Sequence, residues 1–147
     1  MSVSHTVLNK LFGKAEEVNG HERCETYLYR WEVLKTRWCK VMIHHFVGDD
    51  WSRDFHDHPK NFVTVGIKGS YLEETPNGTE IFKSPWIRKF GPHHQHRVST
   101  PWGPCWTLVF VGRQLRDWGF WHDGKWYHWK KYVEEKGGPA DKMKSCD

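Results

Sequence analysis

The sequence predicts an all-β fold, a sandwich or barrel of many short strands, on three observations. Segments rich in aromatic and β-branched residues recur through most of the chain, each shorter than an ordinary helix. Turn signals punctuate them at Gly48-Asp49-Asp50, Lys68-Gly69, Pro76-Asn77-Gly78 and Pro101-Trp102-Gly103-Pro104. Ten Trp, eight Phe and five Tyr among 147 residues supply ring volume for a core and exclude disorder. The alternation of strands with long helical patterns that marks a parallel α/β sheet is missing.

The elements follow in order. Val7, Leu8, Leu11 and Phe12 fall at helical spacing and Gly13 stops them, so the first segment is one short helix. Asn19-Gly20 marks a turn. Residues 26–33 and 37–47 then read as strands, the second with Val41, Ile43 and His45 on one face. Further strands are expected at 62–67, 70–74, 79–82, 86–90, 96–99 and 106–111. Residues 118–121 and 125–129 form a last hairpin across His122-Asp123-Gly124, because Asp-Gly favours the tight hairpin turn. Trp38, Trp106 and Trp118 are expected to fill the space between sheets. The division expected is an N-terminal extension, partly helical, over 1–24, a barrel over 25–133 and a frayed charged tail over 134–147.

Composition removes several classes. A length of 147 residues suits one domain. No apolar run approaches the ~20 residues of a membrane helix, and the N-terminus lacks the apolar run and cleavage site of a signal peptide. The four cysteines include no C-x-x-C pair, and this size requires no disulfide framework, so a cytoplasmic protein is expected. The net charge of +4 is interleaved with acids and forms no basic stripe, so nucleic acid is not the expected partner.

Eleven histidines remain to be explained. His56 and His58 stand at i and i+2, so on an extended segment both imidazoles point the same way and can chelate one divalent ion. A third donor must come from elsewhere, and His93, His94 and His96 are the candidates. His94 and His96 share strand parity, which leaves either able to face inward. Asp57 has the opposite parity and is expected to point away from the metal and cap a turn. His44 and His45 face opposite ways on their strand, with one turned inward as a structural histidine.

His-x-His, a strand, Lys68-Gly69, a second strand, a hairpin and a later His-Arg-Val resemble the cupin superfamily. In the first cupin motif His56, His58 and Gly69 match, Asp50 replaces the first glycine, and Phe62 stands where a glutamate ligand belongs. In the second motif His96 matches the histidine, while Pro85, Gly91, His93 and Thr100 replace the other named positions. A closer resemblance, over most of the chain, is to short, largely uncharacterised cupins of phages and bacteria. It runs through His56-Asp57-His58-Pro59, Gly69-Ser70-Tyr71, His96-Arg97-Val98, Trp106-Thr107-Leu108-Val109 and Trp118-Gly119-Phe120.

The resemblance implies a double-stranded β-helix, the cupin jelly roll, with His56, His58 and His96 as metal ligands and His94 in reserve. Three neutral imidazoles leave a dication at +2 with open positions. Three-histidine cupins include thiol and ring-cleaving dioxygenases, so the expected function is an Fe(II)-type dioxygenase acting on a small molecule, with Zn, Ni or Mn as other ions. Two other readings stay open: a non-catalytic small-molecule-binding cupin, and a metal-independent sugar-nucleotide epimerase or isomerase using His56 or His58 with Tyr71. Tyr71 is the expected acid or hydrogen-bond donor, and Arg97 (with Arg53) the expected clamp on a substrate anion. A homodimer is also implied. Metal affinity is expected to fall below pH ~6.5 as imidazoles protonate.

Overall fold

The protein is described by a computed structural model covering residues 3–19, 25–49 and 54–135. Asp50, Arg53, Cys24, Cys146 and residues 136–147 of the expected tail lie outside the described residues. The described chain runs α1 (Val3–Phe12), β1 (Glu16–Asn19), β2 (Thr26–Lys35), β3 (Lys40–Phe46), β4 (Phe55–His56), β5 (Phe62–Lys68), β6 (Ser70–Thr75), β7 (Gly78–Lys83), β8 (Trp86–Phe90), β9 (Arg97–Ser99), β10 (Cys105–Val111), β11 (Gly119–His122), β12 (Lys125–His128) and α2 (Trp129–Glu135). Among these residues no helix is long and apolar enough to cross a membrane.

One six-stranded antiparallel sheet has the order β1-β2-β3-β10-β5-β8. Opposite it stand two three-stranded sheets, β12-β11-β4 and β7-β6-β9. A backbone bridge between His56 and His96 joins these two at the β4–β9 seam, with N···O distances of 3.3 and 3.1 Å. The second layer is therefore a six-stranded sheet with its weakest seam at the two histidines.

Strand β10 sits centrally in the first sheet. Its alternate residues Cys105, Thr107, Val109 and Val111 are all buried, and Val109 and Val111 pack with Met42 and Phe62. Cross-strand pairing puts Phe90 beside Phe62, Arg88 beside Thr64, and Trp86 beside Gly66 on the same face. Opposed residues in a ladder share a face, so Arg88 is directed into the barrel although it is charged. Gly69 turns the chain between β5 and β6 with φ of 89°, and a Cβ there would come within 2.4 Å of the Pro104 carbonyl. Only glycine serves at that turn.

The N-terminal helix forms as expected, and Gly13 closes it with φ of 88° and a bond from its N–H to the Asn9 carbonyl at 3.0 Å. Its packing face is not the apolar one. Val7 and Leu11 are exposed, whereas His5 is buried against the outer face of the first sheet. There its ring meets Tyr29, Trp31, His45 and Trp106. His5 Nε2 and His45 Nδ1 share a hydrogen bond of 2.7 Å, and His45 stacks on Trp106 at 3.9 Å. Asn9 Oδ1 accepts from Trp31 Nε1 at 2.9 Å.

This histidine pair makes stability depend on pH. Burial, then the neighbouring His5, lowers His45 from 6.5 to about 4, and burial also lowers His5. As pH falls below 6.5 the unfolded chain takes up protons that the folded pair refuses, until about pH 4. The expected loss from His45 is roughly 3 kcal/mol across that window. Thermal melts at pH 7.5, 5.5 and 4.5 read it; equal midpoints at all three would contradict a neutral pair.

Three elements escaped the sequence. Strand β1 is polar and exists through pairing with β2, including Glu16 opposite Arg30. Strand β4 is two residues long. Helix α2 begins where the last hairpin was expected to continue, and Tyr132 pins it by stacking on Phe120 at 4.1 Å. Trp38 lies in the β2–β3 turn, 62% exposed, and fills no space between sheets.

Candidate metal centre

Residues 56 and 96 are opposed in an antiparallel bridge, so their side chains leave the sheet on one face, and His58 follows His56 by two. The three imidazoles converge. One ring nitrogen from each of His56, His58 and His96 lies within 4.8 Å of the others. The ring centroids of His56 and His58 are 5.1 Å apart, those of His56 and His96 4.9 Å, and those of His58 and His96 4.7 Å. His58 Nε2 and His96 Nε2 stand 2.9 Å apart.

Those nitrogens fit a transition metal. Two imidazole ligands at ~2.1 Å and roughly a right angle lie about 3 Å from each other. Ligation also requires neutral rings. Burial, then the charges of His96, His56 and His94, holds His58 well below its usual 6.5. Phe62 and Phe90 pack against the His58 ring at 4.9 and 5.5 Å, which shields the trio with apolar surface.

Asp57 points the other way, as parity requires, but it does far more than cap a turn. Its carboxylate is 1% exposed and gathers four donors from the segment 116–126. Oδ1 accepts from Gly119 N at 2.8 Å, and Oδ2 from Trp121 Nε1 at 3.0 Å and Trp126 Nε1 at 2.9 Å. Arg116 Nη1 pairs with Oδ2 at 3.0 Å. A Cβ at position 119 would strike the Tyr127 carbonyl at 2.1 Å, so glycine is required where this backbone meets the carboxylate. Asp57 thus clamps the segment between the two histidines to the far half of the sheet.

On the inner side of His96 lies a carboxylate without solvent access. Glu73 is 0% exposed. Its Oε1 accepts from His96 Nδ1 at 2.5 Å and His94 Nε2 at 2.9 Å, and its Oε2 pairs with Arg88 Nη1 at 2.5 Å. Burial alone would raise this carboxyl, but the bonds from His94, His96 and Arg88 outweigh it and hold the group well below the usual carboxylate range. Glu73, His94 and His96 also bring donor atoms within 4.8 Å of one another, using the opposite nitrogen of the His96 ring. Arg88 at that carboxylate disfavours a cation there.

Tyr71 follows the same face of β6. Its hydroxyl accepts from Arg88 Nη1 at 3.4 Å, and burial pushes it up to about 12, so it keeps its own proton to donate. Arg97 occupies the other face of β9, paired with Glu74 at 2.6 Å and laid over the Phe55 ring at 4.8 Å. His93 is exposed, His44 faces inward in the ladder beside Thr107, and burial brings His44 down to about 3. Burial raises the Cys105 thiol to about 11, in keeping with inert packing.

Two antiparallel sheets facing across this centre match solved structures in shape. RemF, a polyketide cyclase of Streptomyces resistomycificus, superposes with a TM-score of 0.56 at 18% identity, over 67% of this chain and 72% of its own. An uncharacterised Klebsiella pneumoniae protein with a double-stranded β-helix domain gives 0.54 at 18% identity, over 77% of this chain and 92% of its own. The chain has the cupin fold. Fe(II) HppE shares that fold with a TM-score of 0.54 at 9% identity, over 66% of this chain, which spans 56% of HppE. No protein-family model matches the chain, and no curated protein matches it in sequence. At these identities the cupin fold is what the likeness carries; the centre's chemistry rests on its own residues.

Neither Glu73 nor Arg88 was marked as part of the centre by the sequence alone. Tyr71 and Glu73 alternate on one strand, a signal that puts them on one face, but nothing in the spacing brings Arg88 or His96 to that face.

Proposed function

We propose that this chain is a metal-binding cupin that acts on a small molecule as a three-histidine Fe(II)-type dioxygenase. The observation that carries the reading is the convergence of His56, His58 and His96 on one point. The preference for iron over zinc, nickel or manganese follows the three-histidine cupins the sequence resembles, and Fe(II) HppE has the same fold. Ferrous iron would supply the electron that makes ground-state dioxygen reactive and the Lewis acidity that binds an anionic substrate.

The protein's part is binding and orientation. Three neutral imidazoles hold the ion without cancelling its charge, which favours an anionic or polar substrate group beside it. Phe62 and Phe90 exclude water from the His58 side. Tyr71, protonated across the physiological range, is a hydrogen-bond donor, with Arg88 between it and Glu73. Arg97, the expected anion clamp, lies on the other face of β9 paired with Glu74, so it supplies nothing to the centre in this arrangement.

Elemental analysis of protein purified without an affinity tag tests the reading. One transition-metal equivalent per chain is expected at pH 7.5, and tag-free protein that neither carries nor takes up Fe(II), Zn(II) or Co(II) would refute it. The pH dependence adds a sharper condition. Because burial keeps His58 neutral well below 6.5, proton competition at that ligand begins at lower pH than for a free imidazole.

A further inference from the structure

We propose that Glu73 is the positioning residue of the metal centre, fixing His96 by a hydrogen bond and supplying through it the negative charge that the missing ligand at position 62 does not. The proposal rests on the three-histidine reading. It concerns the carboxylate on the other side of the His96 ring from the ion.

A neutral imidazole carries one N–H and one lone pair, and the bond made by one nitrogen decides which is which. An ionised carboxylate has only acceptor sites. Glu73 Oε1 at 2.5 Å from His96 Nδ1 therefore fixes the proton on Nδ1 and turns the lone pair of Nε2 toward His58 and His56. Free histidine in water shows no such constraint, so the arrangement is imposed by β6, which delivers Glu73 opposite Val98, two residues past His96.

Position 62 explains why this carboxylate matters here. The usual fourth ligand is a glutamate four to five residues after the second histidine of the His-x-His, and that stretch holds Phe62, whose ring packs on His58 instead. A carboxylate hydrogen-bonded to a ligating imidazole raises its basicity and fixes its orientation. Arg88, on the other oxygen, holds Oε1 aimed at the histidines; His94, the second donor to Oε1, prevents that oxygen from rotating away.

The test reads the proton before any metal is added. Nitrogen-15 correlation spectra of histidine side chains in the metal-free protein, with the His96 ring assigned by its loss in His96→Ala, are expected to show His96 with its proton on Nδ1. A proton on Nε2 overturns the proposal. Glu73→Gln is expected to release this preference and to weaken Co(II) affinity by about 10–100-fold, the usual cost of losing such a partner. The Co(II) absorption spectrum should shift as the ring reorients. Unchanged tautomer and affinity in a folded Glu73→Gln overturn the proposal and leave the three-histidine reading standing. Wild type that keeps the Nδ1 proton yet binds no metal leaves Glu73 holding His96 and overturns its role toward an ion.

Discussion

His58→Ala is expected to abolish metal loading at concentrations that saturate the wild type. The variant removes one of three converging nitrogens, and the one whose Nε2 stands 2.9 Å from that of His96. Losing an outer partner of a ligand already costs about 10–100-fold in affinity, so losing a ligand costs more than that, roughly 100-fold or beyond. Titration with Co(II) against a competing chelator measures the change directly. The chain should remain folded, because Phe62 and Phe90 still stack on each other at 5.2 Å and the His56–His96 backbone bridge uses no side chain. Retained β circular dichroism with lost metal is the expected pair of results. Unaltered metal affinity in His58→Ala would move the centre elsewhere, with the Glu73–His94–His96 group as the alternative donor set.

Asp57→Asn is expected to give the largest loss of stability. The carboxylate receives Gly119 N, two indole N–H groups and a guanidinium, and every one of its partners is a donor. An asparagine at the same place keeps one acceptor but turns an NH2 toward donors, leaving N–H groups and Arg116 without their partner. Breaking a buried ion pair by removing one member costs about 3–5 kcal/mol. For a chain of this length that corresponds to a fall of roughly 10 °C in melting temperature. Differential scanning calorimetry reads the shift, and a change under about 2 °C would show that the clamp carries little of the stability. The same variant should weaken metal binding indirectly, since residue 57 lies between His56 and His58, the proposed ligands, and ties them to residues 116–126.

The two variants separate chemistry from architecture within three consecutive residues. Parity on an extended chain divides His56 and His58 from Asp57, so one face of the segment presents donors to an ion while the other fastens it to the sheet. A metal-ligating segment held only by its own two-residue strand would be mobile. The Asp57 clamp fastens it through bonds that no ion supplies.

Much of this was legible in the chain itself. Strands β2, β3, β5, β6, β7, β8 and β10 follow from β-branched and aromatic runs bounded by turn signals, because a half-buried pleated surface selects those residues locally. The His-x-His spacing likewise follows from a local rule. His96 as third donor came from resemblance, with His94 open beside it, and both histidines proved to touch Glu73. Strand β1 was illegible because three of its four residues are polar and its strand character comes from β2. The outward burial of His5 was illegible for a related reason: the amphipathic pattern pointed to Val7 and Leu11, while the partners that bury His5 lie on β2, β3 and β10.

The sequence by itself determined an all-β sandwich or barrel and two histidines on one face of one segment, since alternation and turn chemistry act over a few residues. Only the tertiary structure decided what stands around them. The seam that sets His56 opposite His96 spans 40 positions, Glu73 reaches His96 across 23, and Arg88 reaches Glu73 across 15. Those pairings are fixed by how two sheets register and face each other; the bonds they bring from His94, His96 and Arg88 hold Glu73 low against its burial, and burial holds His58 neutral. Sheet registry and desolvation belong to the whole fold, which is why residue spacing could pair His56 with His58 but could not name the carboxylate behind His96.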